Sequence, residues 1–294
     1  MSGLVGERQR GLHRRVAMIE AKNGSAAKVP PDAVRVWRGF RLGSVAPQDF
    51  LTALGSVFIP VTAQLQSLHG LTAYLPTVMP LDKPSGVPDE VALVFYRTRQ
   101  AYDDTELTVP GRACASLHST VFGVPPSEGS FPSALAESLK FDMPYYLFAD
   151  QADWMTGFTQ VFAGSRPAKM TALDFASGLF NFAKDLQQDR PKGLEGAVLH
   201  VTEDWVLYWE HWTNQRASLR GRMAALPKLA GQILSQPHRA MTLSMKLTAR
   251  HAGLAVKGGE SFNIRFTRGA AKKAPAKRAG RRSSGARSAA RRRT

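Results

Sequence analysis

The stretch from Ala197 to Trp212, AVLHVTEDWVLYWEHW, restricts this chain more than any other. Two apolar runs flank Glu203-Asp204, and the second holds three of the five tryptophans in the sequence. Runs of this length rich in Val, Leu, Trp and Tyr, broken by two polar residues, read as a β-hairpin. Side chains alternate along a strand, so a two-residue turn fixes the faces. Trp205, Leu207, Trp209 and His211 then share one face with Val198 and His200. Val206, Tyr208, Glu210 and Trp212 share the other with Leu199 and Val201. In VALVFY, residues 91–96, Val91, Leu93 and Phe95 alternate with Ala92, Val94 and Tyr96, so both faces of that strand need cover.

The rest of the chain repeats the pattern that leads into this hairpin. VRVWRGFRL, from Val34, alternates as a strand, and an amphipathic helix follows through Phe50, Leu54, Phe58, Val61 and Leu65, with Pro60 marking a kink or break. GLTAYLPTVM is a second strand, PLDKPSGVPDE a Pro/Gly loop, VALVFY (91–96) a third strand, and helices are expected near Arg97–Asp104 and Arg112–Val121. Tyr145–Ala149 is a short strand. The order then restarts: a strand from Trp154, a helix over Ala172–Leu186, the hairpin, a helix from about Asn214 to Ser235, and strands over 241–250 and SFNIRF. Strand–helix–strand–strand–helix–strand, read twice, is the ferredoxin-like order. The expected fold is therefore α+β: two ferredoxin-like units, residues 34–150 and 151–269, whose antiparallel sheets pack against each other. A flexible basic leader, 1–33, precedes them and a disordered basic tail, 270–294, follows.

Charge separates the tail from the body. The formal net charge is +16, and ten of those charges lie after Gly269, which leaves +6 for the rest. Lys272, Lys273, Lys277, Arg278, Arg281, Arg282, Arg287, Arg291, Arg292 and Arg293 stand among Ala, Pro, Ser and Gly, a composition that cannot bury enough surface to fold. It resembles the tails of histone-H1-like bacterial proteins and suits phosphate neutralisation without base readout. Nucleic acid or another polyanion is the expected partner of the tail, with a solubilising role as the alternative. Cys114, the single cysteine, excludes an internal disulfide and Cys-rich metal motifs. No run approaches ~18 apolar residues, so no transmembrane helix is expected. The cytoplasm is the simplest address.

The run Leu93-Val94-Phe95-Tyr96-Arg97-Thr98-Arg99-Gln100-Ala101-Tyr102 resembles the third strand and following helix of the dimeric α+β barrel superfamily, which includes antibiotic-biosynthesis monooxygenase-like and chlorite-dismutase-like proteins. The resemblance covers residues 34 to about 250 and implies a barrel made by two fused units. Members of that superfamily bind haem, oxidise or isomerise aromatic substrates, or only bind, so the resemblance speaks to fold before function.

Chemistry-bearing residues are few. No phosphate-binding glycine loop, nucleophile elbow or metal-binding histidine spacing occurs. A cavity between the two sheets would be lined by Phe95, Trp205 and Trp209 and could take a small apolar ligand, with His211 or His200 as the proton-transfer group. Alternatively, the tryptophans are core and the histidines are simply hydrogen-bonded there. A haem would need a histidine ligand, for which His118 and His211 are available; otherwise no cofactor is expected, and no metal. Cys114 reads as a buried, inert thiol. With a charge run present and a catalytic signature missing, the sequence favours a non-catalytic binding or accessory protein that attaches through its tail. A barrel-type oxidative enzyme, monooxygenase-like or haem-dependent, is the alternative.

Overall fold

The computed structural model describes residues 33–68, 70–123, 131–148, 152–221, 230–231, 233–244 and 254–267. The leader and the tail lie outside the described residues, and so do the ten tail cations. Twelve strands among the described residues form two six-stranded sheets. In chain order the elements are β1 (Val34–Arg41), α1 (Pro47–Ala53), a π-helical turn (Leu54–Phe58), α2 (Ile59–Leu68), β2 (Leu71–Val78), β3 (Glu90–Tyr96), α3 (Arg99–Leu107), α4 (Val109–His118), β4 (Phe122–Gly123), β5 (Ser133–Ala134), β6 (Met143–Tyr146), β7 (Phe158–Ser165), α5 (Ala172–Gln188), β8 (Leu194–Val201), β9 (Trp205–Trp212), α6 (Gln215–Gly221), β10 (Ile233–Pro237), β11 (Arg239–Ser244) and β12 (Glu260–Thr267).

Four strands in each sheet, β2-β3-β1-β4 and β8-β9-β7-β10, follow the same spatial order. The first sheet runs β11-β12-β2-β3-β1-β4 and the second β10-β7-β9-β8-β6-β5. Within β2-β3-β1-β4 and β10-β7-β9-β8 the pairings are antiparallel, the arrangement of a ferredoxin-like unit. The α+β architecture expected from the sequence is the one found. The hairpin faces also fall as the two-residue turn dictates. Val198, Trp205, Leu207 and Trp209 face the first sheet. Leu199, Val201, Val206, Tyr208 and Trp212 face α5.

The sheets meet through one apolar layer. Val34, Val36, Leu75, Leu93 and Phe95 of the first pack on Trp154, Val161, Trp205, Leu207 and Trp209 of the second. The outer face of the second sheet is sealed by α5, which presents Phe175, Leu179, Phe182 and Leu186 at helical spacing. The outer face of the first sheet is covered by α1, α2 and the α3–α4 pair. Pro60 does not break the first helix. The turn before it widens, and Ile59 N–H reaches back to Leu54 O, five residues away, in the π register. Gly55 in that turn is needed for another reason. A Cβ there would stand 1.9 Å from Leu254 O, where the chain returns and Leu254 N–H bonds to Gly55 O at 2.8 Å.

Three local expectations are corrected. The helix after the hairpin is described only to Gly221, and Ile233–Pro237 is a strand paired with β7. The letters of 133–139 suggest a helical turn, but Ser133–Ala134 is a strand edge on β6. The last strands, expected to close the second unit, cross back: β12 pairs with β2 and β11 with β12, both in the first sheet. The edge of β2 offers unpaired backbone groups, and β12 satisfies them.

Candidate active site

A cavity of about 170 Å³ lies between the first sheet and its helices. An apolar cavity of ~150 Å³ is known to hold benzene, so this one has room for a ring-sized molecule. It exists because the covering helices are sparsely furnished. α3 and α4 turn Tyr102, Thr105, Cys114, Ala115 and His118 towards it, where α5 in the other half presents phenylalanines and leucines. Thr98 caps α3 and Thr108 caps α4, accepting from Ala101 N–H at 3.1 Å and Gly111 N–H at 3.0 Å, which fixes the helix pair in place.

The floor is the outer face of β1, β2 and β3, carrying Arg35, Trp37, Tyr74, Glu90, Val94 and Tyr96. Glu90 is its centre. The residue is 1% exposed. Trp37 Nε1–H donates to Oε2 at 2.9 Å and the Tyr74 hydroxyl donates to Oε1 at 3.3 Å. Burial lifts the carboxyl from its usual 4.5 to about 7, against the pull of those two donors towards the ionised form. Burial, and then the neighbouring Glu90, push Tyr74 well above the ordinary phenol range, so it remains a donor. Burial likewise pushes Tyr96 up to about 12. On α4, His118 Nδ1–H donates to Cys114 O at 2.6 Å, and burial lowers its pKa; the neutral ring therefore keeps Nε2 as its acceptor. Burial raises the Cys114 thiol, so it stays protonated, as the inert-thiol reading expects.

The sequence-derived candidates lie elsewhere. Phe95, Trp205 and Trp209 are between the sheets and at most 6% exposed, filling the space in which a cavity was expected. His200 and His211 are each 0% exposed in the same layer. Arg38 Nη1 donates to His200 Nε2 at 3.1 Å, and His200 stacks on Trp205. The Thr159 hydroxyl meets His211 Nδ1 at 2.8 Å, and His211 leans on Trp154. Neither ring borders the cavity. Glu90 escapes a reading of the letters because PLDKPSGVPDE looks like a loop to its last residue. One residue more of strand places Glu90 on the same face as Ala92, Val94 and Tyr96.

No known family's profile matches the chain, and no curated protein matches it. Solved structures do. A candidate monooxygenase from Lactobacillus acidophilus NCFM is 7% identical, with 69% of this chain covering 91% of that one at a TM-score of 0.34. One from Fusobacterium nucleatum subsp. nucleatum ATCC 25586 is 11% identical, 71% covering 91%, at 0.36. An anthrone oxidase-like protein is 10% identical, 69% covering 88%, at 0.29. All three names are those of oxidative enzymes. Scores of this size say nothing about individual residues, so the site is read from its own geometry. The expectation of a non-catalytic accessory protein is corrected on the geometry of the body, which holds a cavity around a buried carboxyl. Among the described residues no helix is long and apolar enough to cross a membrane.

A haem does not fit the cavity. Its histidine, His118, is packed by the rings of Trp37, Phe58 and Phe122 at centroid distances of 4.9, 4.7 and 5.6 Å. A tetrapyrrole also needs several times the room of one benzene-sized ring.

Proposed function

We propose that the chain is an oxidative enzyme of the α+β barrel type, acting on a small ring compound in the cavity between the first sheet and α2–α4, with Glu90 as the proton-transfer group. One observation carries this reading: a carboxyl held near neutrality by burial, aimed by two donors, on the wall of a cavity large enough for a ring. A general base works best when its pKa is near the ambient pH. The aromatic walls, Trp37, Tyr74, Tyr96 and Tyr102, suit a flat substrate.

The chemistry balances with dioxygen as the oxidant. An activated CH₂ next to a ring gives one proton to Glu90, and the carbanion so formed passes its electrons to O₂. One oxygen atom stays on carbon as the carbonyl. The other leaves as water, with the proton returned from Glu90 and the second hydrogen of the CH₂. In this reading the two sheets are the halves of a barrel supplied by a single chain.

The test is oxygen consumption by the full chain with a panel of phenols and other single-ring compounds that carry an activated CH₂. Glu90→Gln keeps the shape and should lower turnover by ~100-fold or more. Full activity in Glu90→Gln, with activity lost instead in His211→Ala or His200→Ala variants that still fold, would return the chemistry to the sheet interface.

A further inference from the structure

The cavity holds a cation that no carboxylate among the described residues meets. Arg35 is half-buried on β1, and its guanidinium lies 5.0 Å from the Tyr102 ring centroid and 5.6 Å from that of Trp37. Its Nε is enclosed and has no hydrogen-bond partner among the described residues. Among the described residues no carboxylate forms an ion pair with it. Glu106, the acid at the rim, is instead engaged by the Tyr102 hydroxyl. Leaving an enclosed guanidinium N–H unmet is costly, and stacking on rings recovers only part of that cost. The planar fork is suited to a carboxylate.

Trp37 gives the arrangement a direction. Its ring lies beneath Arg35 at one end, and its Nε1–H holds Glu90 at the other. We infer that the cavity selects ring-sized organic carboxylates, laid along the Trp37 indole with the anionic group at Arg35 and the reacting end at Glu90. This rests on the same cavity as the function proposed above and adds the chemical class of its ligand and a specificity residue, Arg35.

Charge gives the inference a second readout. The groups facing Glu90 are Arg35 and Trp37 from β1, Tyr74 from β2, Tyr96 from β3, Tyr102 and Glu106 from α3, and Cys114 and His118 from α4. Arg35 is the cation among them, and His118 is held neutral by burial. An anion beside Glu90 favours its protonated form. Binding of a carboxylate therefore tightens as the pH falls through about 7, and a neutral analogue shows no such trend.

The experiment is calorimetric titration of the full chain with benzoate and with benzamide at 150 mM salt, from pH 6 to 8. Benzoate should bind at least tenfold more tightly than benzamide at pH 6, with the gap closing towards pH 8. Arg35→Met should remove most of the preference, and Arg35→Lys should restore part of it. Three results would overturn the inference: equal binding of the two probes by the wild type, undiminished benzoate binding in Arg35→Met, or no binding of either. If Arg35→Met does not fold, the wild-type pair of probes and Arg35→Lys decide. Turnover plays no part in this test. An inactive enzyme that still prefers benzoate keeps the inference and sinks the oxidative reading, and an active enzyme indifferent to charge does the reverse.

Discussion

A single carboxyl, Glu90, carries the proposed chemistry and a local cost in stability. Its folded pKa is about 7, above the ordinary 4.5. The folded state therefore binds its proton more readily than the unfolded chain. That stability is fully present below pH 4.5 and is lost as the pH rises through about 7. At pH 8 the ionised group costs up to about 3 kcal/mol, since a tenfold change in proton affinity is worth ~1.4 kcal/mol. Glu90→Gln should then be more stable than the wild type at pH 8 and indistinguishable from it at pH 4, by urea midpoint at both values. Equal midpoints at pH 8 would mean that water reaches the carboxyl and that its pKa is ordinary. This trade of stability for a poised acid is common at sites of proton transfer.

At the scale of the element, the two halves differ in what their helices bury. α5 seals its sheet with Phe175, Leu179, Phe182 and Leu186, whereas α3 buries only Tyr102 and Thr105. The cavity follows from that difference. Cys114→Leu should occupy the empty space without displacing packed atoms. Turnover should fall at least tenfold while the melting temperature holds or rises, as activity and thermal scans of the variant would show. Much of this layer was legible in the letters. The alternation in AVLHVTEDWVLYWEHW gave the hairpin faces, and the spacing of Phe175, Leu179, Phe182 and Leu186 gave the buried side of α5. The site was not legible, because VALVFY is apolar on both faces. Which face is hollow depends on the size of residues twenty positions onward, Cys114, Ala115 and His118, on helices whose placement periodicity does not encode. The same limit hid the path of β11 and β12, since a strand's own pattern does not name its partner.

For the molecule as a whole, the layer between the sheets is sensitive to acid. Burial brings His200 down to about 3, with the charge of Arg38 adding to the effect, and His211 down to about 4 despite the opposing pull of Asp153. Both are neutral when folded, and the unfolded chain takes up their protons below 6.5. The stability they allow is present above 6.5 and is lost as the pH falls towards 4, by up to ~1.4 kcal/mol per pH unit for each ring. Burial also brings His238 down to about 3, so it acts with the other two, and Glu90 offsets one of the three, because it takes up a proton in the folded state between 7 and 4.5. Urea midpoints from pH 7 to 5 should fall gently for the wild type and more steeply for Glu90→Gln. His200→Gln should flatten the slope, and a midpoint independent of pH in all three proteins would contradict this assignment. The pairing of β12 with β2 has a further consequence, in time. The Ser261 hydroxyl donates to that of Thr77 across 184 residues of sequence, so the first sheet gains one of its neighbours only after all of those residues have been made. At ~5–20 residues per second, β2 waits on the order of ten seconds or more with a bare edge. Non-local pairing of this kind also slows folding itself. A nascent chain of this protein is thus expected to need a chaperone's shelter for LTAYLPTV, a demand that belongs to the order in which the strands are made and leaves no trace in the finished fold.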